Sequence, residues 1–298
     1  MADWRTLYPF PSQRFALPDA ESHRMHYVDE GSADSLRPHT LLCVHGNPTW
    51  SFYYREVIQQ QRSRSRVIAV DNLGCGLSDK PQHYPYSLSQ HISNLVALVT
   101  HLDLQRITLV VHDWGGAIGL GAALEMPERI AGLVILNTAA FPPPYVPWRI
   151  AALRLPWIGD WAMRQHNVFA RAALRMTLSR LPRLDDNVAA GLIAPYDSWV
   201  NRIAIARFVQ DIPSRPSDPT YHRLKEIEAK LPRFRDRPVE IVWGMRDWCF
   251  RPECLDRFAE LLPNAHITRL ADVGHYVMEE ASGEVNVAIE RCLQQQDS

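Results

Sequence analysis

Val110-Val111-His112-Asp113-Trp114-Gly115-Gly116 decides how this chain is read. An apolar run ends in an acid, two glycines follow, and a stretch of small residues begins (Ala117, Gly119, Gly121, Ala122, Ala123). That pattern predicts a buried strand passing through a sharp turn into a helix. Gly119 and Gly121 each cost a helix about 1 kcal/mol relative to alanine, so another element is expected to approach closely there. A strand, turn and helix in this order form the setting of a nucleophile elbow, with aspartate where the commoner pattern has serine. Such a turn presents its side chain at the top of the sheet, and the helix N-terminus behind it favours negative charge. Val111 stands where the serine version usually has glycine. The competing reading of Asp113 is a plain helix cap.

Working outward, short apolar runs recur: Thr40–Val44, Arg66–Val70, Ile107–Val111, Leu133–Leu136 and Val239–Trp243, with a more polar sixth at His266–Leu270. Most are continuously apolar, the mark of strands covered on both faces of a parallel sheet. His23–Asp29 reads as a polar strand at an antiparallel edge. Helix-like stretches such as Ser89–Leu102 and Glu253–Leu262 alternate with the strands, which predicts an α/β fold. The alternation stops after Leu136. From Phe141 to Asp211 the chain opens on Pro142-Pro143-Pro144 and then suggests helices over Trp148–Leu155, Asp160–Ser179, Asp185–Ile193 and Ser198–Val209. The expected organisation is a core of residues 1–140 and 216–298, with a helical cap at 141–215 over the strand ends, where such sheets bind ligands.

The chain has 298 residues, 46% hydrophobic and 22% charged, with a net charge of -1. That balance excludes a dedicated nucleic-acid binder and a disordered chain. The start, Met1-Ala2-Asp3-Trp4-Arg5, lacks the basic and apolar regions of a signal peptide. The weakly charged run Leu109–Leu124 is 16 residues long and holds His112 and Asp113, so no transmembrane segment is expected. Five scattered cysteines (Cys43, Cys75, Cys249, Cys254, Cys292) match no zinc or disulfide spacing, and a cytoplasmic location is the expectation. His23, His26, His45 and His112 show no metal spacing; no metal and no cofactor are expected. Residues 141–211 carry nine arginines, five aspartates and no lysine or glutamate. A solvated helical surface is the plain reading, and a docking face for an acidic partner or a membrane is the sharper one.

Three further motifs gather around Asp113. His45-Gly46-Asn47-Pro48 follows a strand, and a loop there can bring the Asn47 N–H beside the elbow, where with the Trp114 N–H it would form an oxyanion hole. Asp247 follows the strand ending at Trp243, and His275 follows the last strand, which completes a triad in the order nucleophile, acid, histidine. Asp272 is the rival acid, expected to shape the turn. Gly74-Cys75-Gly76 and Ser78-Asp79 invite phosphate-loop or serine-nucleophile readings, but the full Gly-rich fingerprint is absent and Ser78 lacks the flanking glycines of an elbow, so a structural turn is expected. Trp148, Trp157, Trp161 and Phe169 are expected to be core or to line an apolar pocket.

With these residues in view, the sequence resembles the haloalkane dehalogenase family of the α/β-hydrolase superfamily. The resemblance also takes in Asp71-Asn72-Leu73-Gly74-Cys75-Gly76-Leu77-Ser78-Asp79-Lys80-Pro81 and Phe208–Pro213. It implies an α/β-hydrolase fold: a mostly parallel central sheet with helices on both faces and a helical cap. It implies Asp113 as nucleophile, His275 as base, Asp247 as orienting acid, and Asn47 and Trp114 as side chains that bind the departing halide. Some relatives carry the acid as a glutamate after an earlier strand; here Asn137-Thr138-Ala139-Ala140-Phe141 holds none. An Asp–His–Asp triad with an Asn–Trp pair resembles the third dehalogenase subfamily, which merges with the β-lactone decarboxylases of long-chain olefin biosynthesis. Asp247-Trp248-Cys249-Phe250 looks more like that branch.

The resemblance implies cleavage of a carbon–halogen bond in a small apolar substrate. An alkyl ester forms on Asp113 and is then hydrolysed by water that His275 activates. Decarboxylation of a cis-3-alkyl-4-alkyloxetan-2-one to an alkene and carbon dioxide is the alternative. An epoxide hydrolase, with Tyr145 and Tyr196 as proton donors, and a non-catalytic binding module are the remaining readings.

Overall fold

A computed structural model describes residues 3–31, 39–155 and 157–297. Met1 and Ala2, where the amino-terminal stretch read above begins, lie outside the described residues. Eight strands form one sheet: β1 (Ser12–Ala16), β2 (Arg24–Glu30), β3 (Thr40–Val44), β4 (Arg66–Val70), β5 (Ile107–Asp113), β6 (Ile130–Thr138), β7 (Val239–Gly244) and β8 (His266–Leu270). They lie in the order β1-β2-β4-β3-β5-β6-β7-β8. The β1–β2 and β2–β4 pairs are antiparallel, and the other pairs are parallel. The first two helices are α1 (Arg55–Gln61) and α2 (Leu88–His101), and α3 (Trp114–Glu125) follows β5 directly. Between β6 and β7 run α4 (Trp148–Leu153), α5 (Ile158–His166), α6 (Val168–Met176), α7 (Asp186–Ile193), α8 (Ile203–Asp211) and α9 (Pro219–Lys230). The chain closes with α10 (Pro252–Leu261), α11 (Val277–Glu280) and α12 (Ser282–Gln296).

The continuous apolar runs are explained by two cores. Leu42 and Val44 of β3, Leu109 and Val111 of β5, and Leu133 and Ile135 of β6 pack with α2, α3, α9 and α10 on one face. Their alternates Leu41, Cys43, Val110, Val134 and Leu136 pack with α1, α11 and α12 on the other. Side chains on a strand alternate between faces, so a strand buried on both sides shows no polar period.

This winding also places the site. The chain leaves β3 toward α1 on one face and leaves β5 toward α3 on the opposite face. The two strands are neighbours. Loops that diverge from adjacent parallel strands leave a crevice beyond their carboxyl ends. The residues after Val44 and the bend at Asp113 flank that crevice.

Several sequence readings change in detail. The His23–Asp29 strand is antiparallel as expected, but it is not the edge, because β1 pairs outside it. β1 was not read, since only Phe15 of its five residues is buried and its apolar period is too weak to register. The single helix expected over Asp160–Ser179 is two, α5 and α6, broken at Asn167. That residue sits in the left-handed region (φ 52°, ψ 36°), which asparagine tolerates. The helix expected from Ser198 begins at Ile203, after a single 3-10 turn. Trp157 and Trp161 are neither core nor pocket lining; both stand in solvent. Gly74 and Gly76, at φ 87° and 50°, turn the chain about the buried Asp71 carboxylate, which accepts the Leu77 N–H at 2.8 Å and the Ser51 N–H at 2.7 Å. That segment is a structural turn.

Among the described residues, no helix is long and apolar enough to cross a membrane, and no cluster of His, Cys, Asp or Glu is placed to hold a metal ion. The arginines of 141–211 are more than a solvated surface. Arg202 is buried and donates to the carbonyls of Tyr196 (2.7 Å) and Arg164, and Arg164 lies over the Trp199 ring.

Close backbone approach behind the bend generates a stability contrast. A Cβ on Gly115 would collide with the Val44 carbonyl, whereas one on Gly283 meets nothing. Gly115→Ala should lower stability by about 2 kcal/mol, while Gly283→Ala should be neutral or stabilising by up to about 1 kcal/mol. Urea denaturation followed by circular dichroism measures both.

Candidate active site

Asp113 ends β5 and starts α3 with φ 51° and ψ −131°. A non-glycine residue in that region is strained and persists only where its surroundings over-determine it. Here they do. A Cβ on Gly46 would strike the Asp113 side chain, one on Gly115 the Val44 carbonyl, and one on Gly116 the Thr138 hydroxyl. Thr138 itself donates to the Asp113 carbonyl. Gly121 lets α3 close on Ile92 of α2, which is the close approach that the helix glycines required.

The Asp113 side chain makes no cap hydrogen bond to the helix behind it. Its Oδ1 accepts the Asn47 backbone N–H at 2.6 Å, and the Trp114 N–H also bears on the carboxylate. Its Oδ2 lies 3.8 Å from His275 Nε2, beyond hydrogen-bond length. His275 Nδ1 donates to Asp247 Oδ2 at 2.8 Å. All three side chains are buried. The five residues picked out from the sequence, Asp113, His275, Asp247, Asn47 and Trp114, therefore converge at one end of the sheet. Asp272 does not join them: it is exposed and pairs with Arg180 in a two-point contact at 3.0 Å.

Burial pushes the Asp113 carboxyl above its ordinary range, against the pull of the imidazole and the two N–H groups. Burial also works against a charged His275, but the Asp247 carboxylate and then Asp113 outweigh it, so its pKa is raised. His112 is fully buried, and burial holds it well below the ordinary histidine value. Its ring lies 4.5 Å from that of His275, and its Nε2 donates to the His275 carbonyl at 2.9 Å. His45 is likewise lowered by burial; its Nδ1 donates to Gly46 O and its Nε2 accepts the Asn72 N–H at 2.9 Å. Both are packed, neutral histidines that shape the loops.

Three supporting groups escaped the sequence reading. Asn137, at the end of β6, donates to Asp247 Oδ2 and to the Gly244 carbonyl, both at 3.0 Å, and accepts the Gly244 N–H at 2.7 Å. It stands in the very stretch searched for an acid, which was the available signal. The Thr177 carbonyl accepts the N–H of His275 at 2.7 Å. The Glu280 carboxylate accepts N–H groups from Gly274 (2.6 Å), Ser179 and Leu181 (2.8 Å each). The last two bind the histidine loop to the helical segment, a pairing no local motif announces.

A cavity of ≈ 370 Å³ opens beside the triad. Asn47, Asp113, Trp114, Cys249 and His275 bring polar groups beside the triad, and Tyr145, Arg149, Thr177 and Tyr276 others; most of the rest of the lining is apolar, including Phe141, Leu153, Phe169, Met176 and Phe250. Asn47 Nδ2 donates to the Ile205 carbonyl at 3.2 Å, which leaves its second N–H unspent. Trp114 Nε1 has no partner among the described residues. The tyrosines an epoxide hydrolase would need are committed elsewhere. Tyr145 donates to the carbonyls of Trp248 and Cys249, and Tyr196 to that of Thr49.

Known proteins resemble this chain over nearly its whole length. Residues 39–282 match the family model for the alpha/beta hydrolase fold. A cis-3-alkyl-4-alkyloxetan-2-one decarboxylase of Shewanella oneidensis is 41% identical over 94% of this chain and 87% of its own. Haloalkane dehalogenase 2 of Mycobacterium tuberculosis is 32% identical over 95% of each chain. Among solved structures, the tetrameric haloalkane dehalogenase DpaA of Paraglaciecola agarilytica superposes with a TM-score of 0.80 at 25% identity, over 97% of this chain and 93% of that one. The chain belongs to the alpha/beta hydrolase family, as an enzyme whose relatives include haloalkane dehalogenases and cis-3-alkyl-4-alkyloxetan-2-one decarboxylases.

Proposed function

We propose that Asp113 is a carboxylate nucleophile that attacks a saturated carbon of a small apolar substrate, and that this substrate is a cis-3-alkyl-4-alkyloxetan-2-one. The observation that carries the chemistry is the division of labour on one carboxylate. Oδ1 is pinned by the Asn47 N–H at 2.6 Å, while Oδ2 stands 3.8 Å from the base with no bond to it. The identity of 41% with a named decarboxylase supports the substrate. Residues 141–215 act as a cap that walls the apolar cavity.

In the first step Asp113 Oδ2 attacks the ring carbon C4, and the C4–O bond breaks. An alkyl ester forms on Asp113 while the ring carboxylate is released. The unspent Asn47 amide N–H and the Trp114 indole N–H are neutral donors suited to the departing anion in a dry pocket. In the second step that carboxylate leaves as carbon dioxide. Its C–C electrons form the alkene, and the Asp113–C4 bond breaks to restore the carboxylate. No atom, electron or water is left over. His275, held by Asp247, which Asn137 holds in turn, offers positive charge beside both carboxylates.

A second reading shares the first step. A carbon–halogen bond would deliver its halide to the same two donors, and the 32% identity with a haloalkane dehalogenase supports it. The ester then needs water. His275 Nε2 takes the proton, water attacks Cγ, and the oxyanion develops on Oδ1, already held by the Asn47 N–H.

The products separate the readings. Incubation with a cis-3,4-dialkyl β-lactone should give alkene, measured by gas chromatography, and with a bromoalkane little or no bromide. Bromide without alkene would reverse the order of the two. Asp113→Ala should abolish either reaction. If a bromoalkane does release bromide, His275→Ala should accumulate an adduct on Asp113, seen as one added alkyl group in the intact mass. An unmodified mass, with turnover by the unsubstituted enzyme, would rule out the ester.

Ester hydrolysis requires neutral His275, so its rate should rise with pH through the raised histidine pKa. Asp247→Asn removes the carboxylate that raises it. The acid limb should therefore move to lower pH, while the rate falls by roughly 10³–10⁴ through loss of the correct tautomer. A pH–rate profile of the hydrolysis step checks both.

A further inference from the structure

Eight large apolar side chains are exposed among the described residues, and five of them lie within residues 148–161. Trp148 is on α4, Leu155 follows it, and Trp157, Ile158 and Trp161 lie at the start of α5. Trp148 and Trp157 are 74% and 85% exposed. Single exposed apolar residues need no explanation, but a cluster marks an interaction site.

The unpaired charge on α4–α6 has one sign. Arg149 lies over the rings of Trp148 (5.2 Å) and Trp248 (5.8 Å). Arg171 and Arg175 stand exposed one turn apart on α6. None of the three has an ion-pair partner among the described residues. The one acid on α4–α6, Asp160, is met by Arg164 at 3.7 Å. Tryptophan and arginine together, without an unpaired carboxylate, suit the headgroup layer of a membrane. The cavity opens on this face, because Trp148, Arg149 and Ala152 of α4 and Ala172 of α6 both line it and are exposed.

We propose that α4, the first turn of α5 and the exposed edge of α6 dock onto an anionic lipid bilayer, with the cavity mouth turned toward the acyl chains. An alkyl substrate dissolved in the bilayer then reaches Asp113 without crossing water, a consequence that rests on the reaction proposed above. Attachment is peripheral, since none of the described helices is long and apolar enough to span. Charge argues against a second copy as the occupant. A two-fold contact through this face would set Arg149, Arg171 and Arg175 against their own kind.

Vesicle flotation of the full chain tests this, with equal parts phosphatidylcholine and phosphatidylglycerol against phosphatidylcholine alone. Binding should favour the mixed vesicles, shift tryptophan emission to the blue and weaken in high salt. The triple variant Trp157→Ser, Ile158→Ser, Trp161→Ser should bind at least about tenfold more weakly. Arg171→Glu with Arg175→Glu should lose about fivefold or more per arginine. None of these five residues lines the cavity, so thermal midpoint and turnover of a water-soluble substrate should be unchanged. Three results would each overturn the proposal. They are no flotation of the unsubstituted chain, equal flotation of the triple variant, or a dimer in sedimentation that the triple variant abolishes and vesicles leave intact. Flotation needs no turnover, so Asp113→Ala protein reports on docking even if the proposed reaction fails.

Discussion

A buried carboxylate at a left-handed bend is the constraint around which this molecule is arranged. The bend at Asp113 persists because three glycines let neighbouring backbone and side chains close on it. Gly46 makes room for the acid itself, Gly115 for the carbonyl of β3, and Gly116 for Thr138. Each gap follows from the parallel packing of β3, β5 and β6, whose carboxyl ends lie side by side. Strain at one residue is thus held by the register of the sheet.

Burial creates a second problem, which the surroundings solve by division. A desolvated carboxylate is costly unless hydrogen-bonded or paired. Asp113 receives backbone N–H on one oxygen and faces an imidazole across a gap on the other. Asp247 supports that imidazole and is itself saturated by Asn137, the Cys249 N–H and His275. The distal end of the relay is fully bonded; the end facing the cavity is left short. That asymmetry is what the proposed nucleophile requires.

The helical segment between β6 and β7 is joined to this network from within and differs from it outside. Thr177 and the Glu280 carboxylate hold it to the histidine loop. Its inner face supplies much of the apolar cavity wall, while α4 and α5 carry tryptophans outward. A segment selected only for covering the site would bury those rings. Their exposure next to the cavity mouth is a property of the surface and calls for a separate explanation.

Runs such as Thr40–Val44 and Ile107–Val111 determined the parallel sheet from sequence alone, because two-sided burial leaves an unbroken apolar signal. Asp113, Trp114, Asn47, Asp247 and His275 were legible because each lies just past a strand end, where the chain order itself sets position. β1 was not legible, its outer residues being polar, nor was the break at Asn167, where one side chain's tolerance of a left-handed turn overrides a helical period. Asn137, Thr177 and Glu280 act through contacts between segments distant in sequence, and the outward tryptophans share their composition with a core. Only packing decides which side of a helix is covered, and packing is set by every element at once.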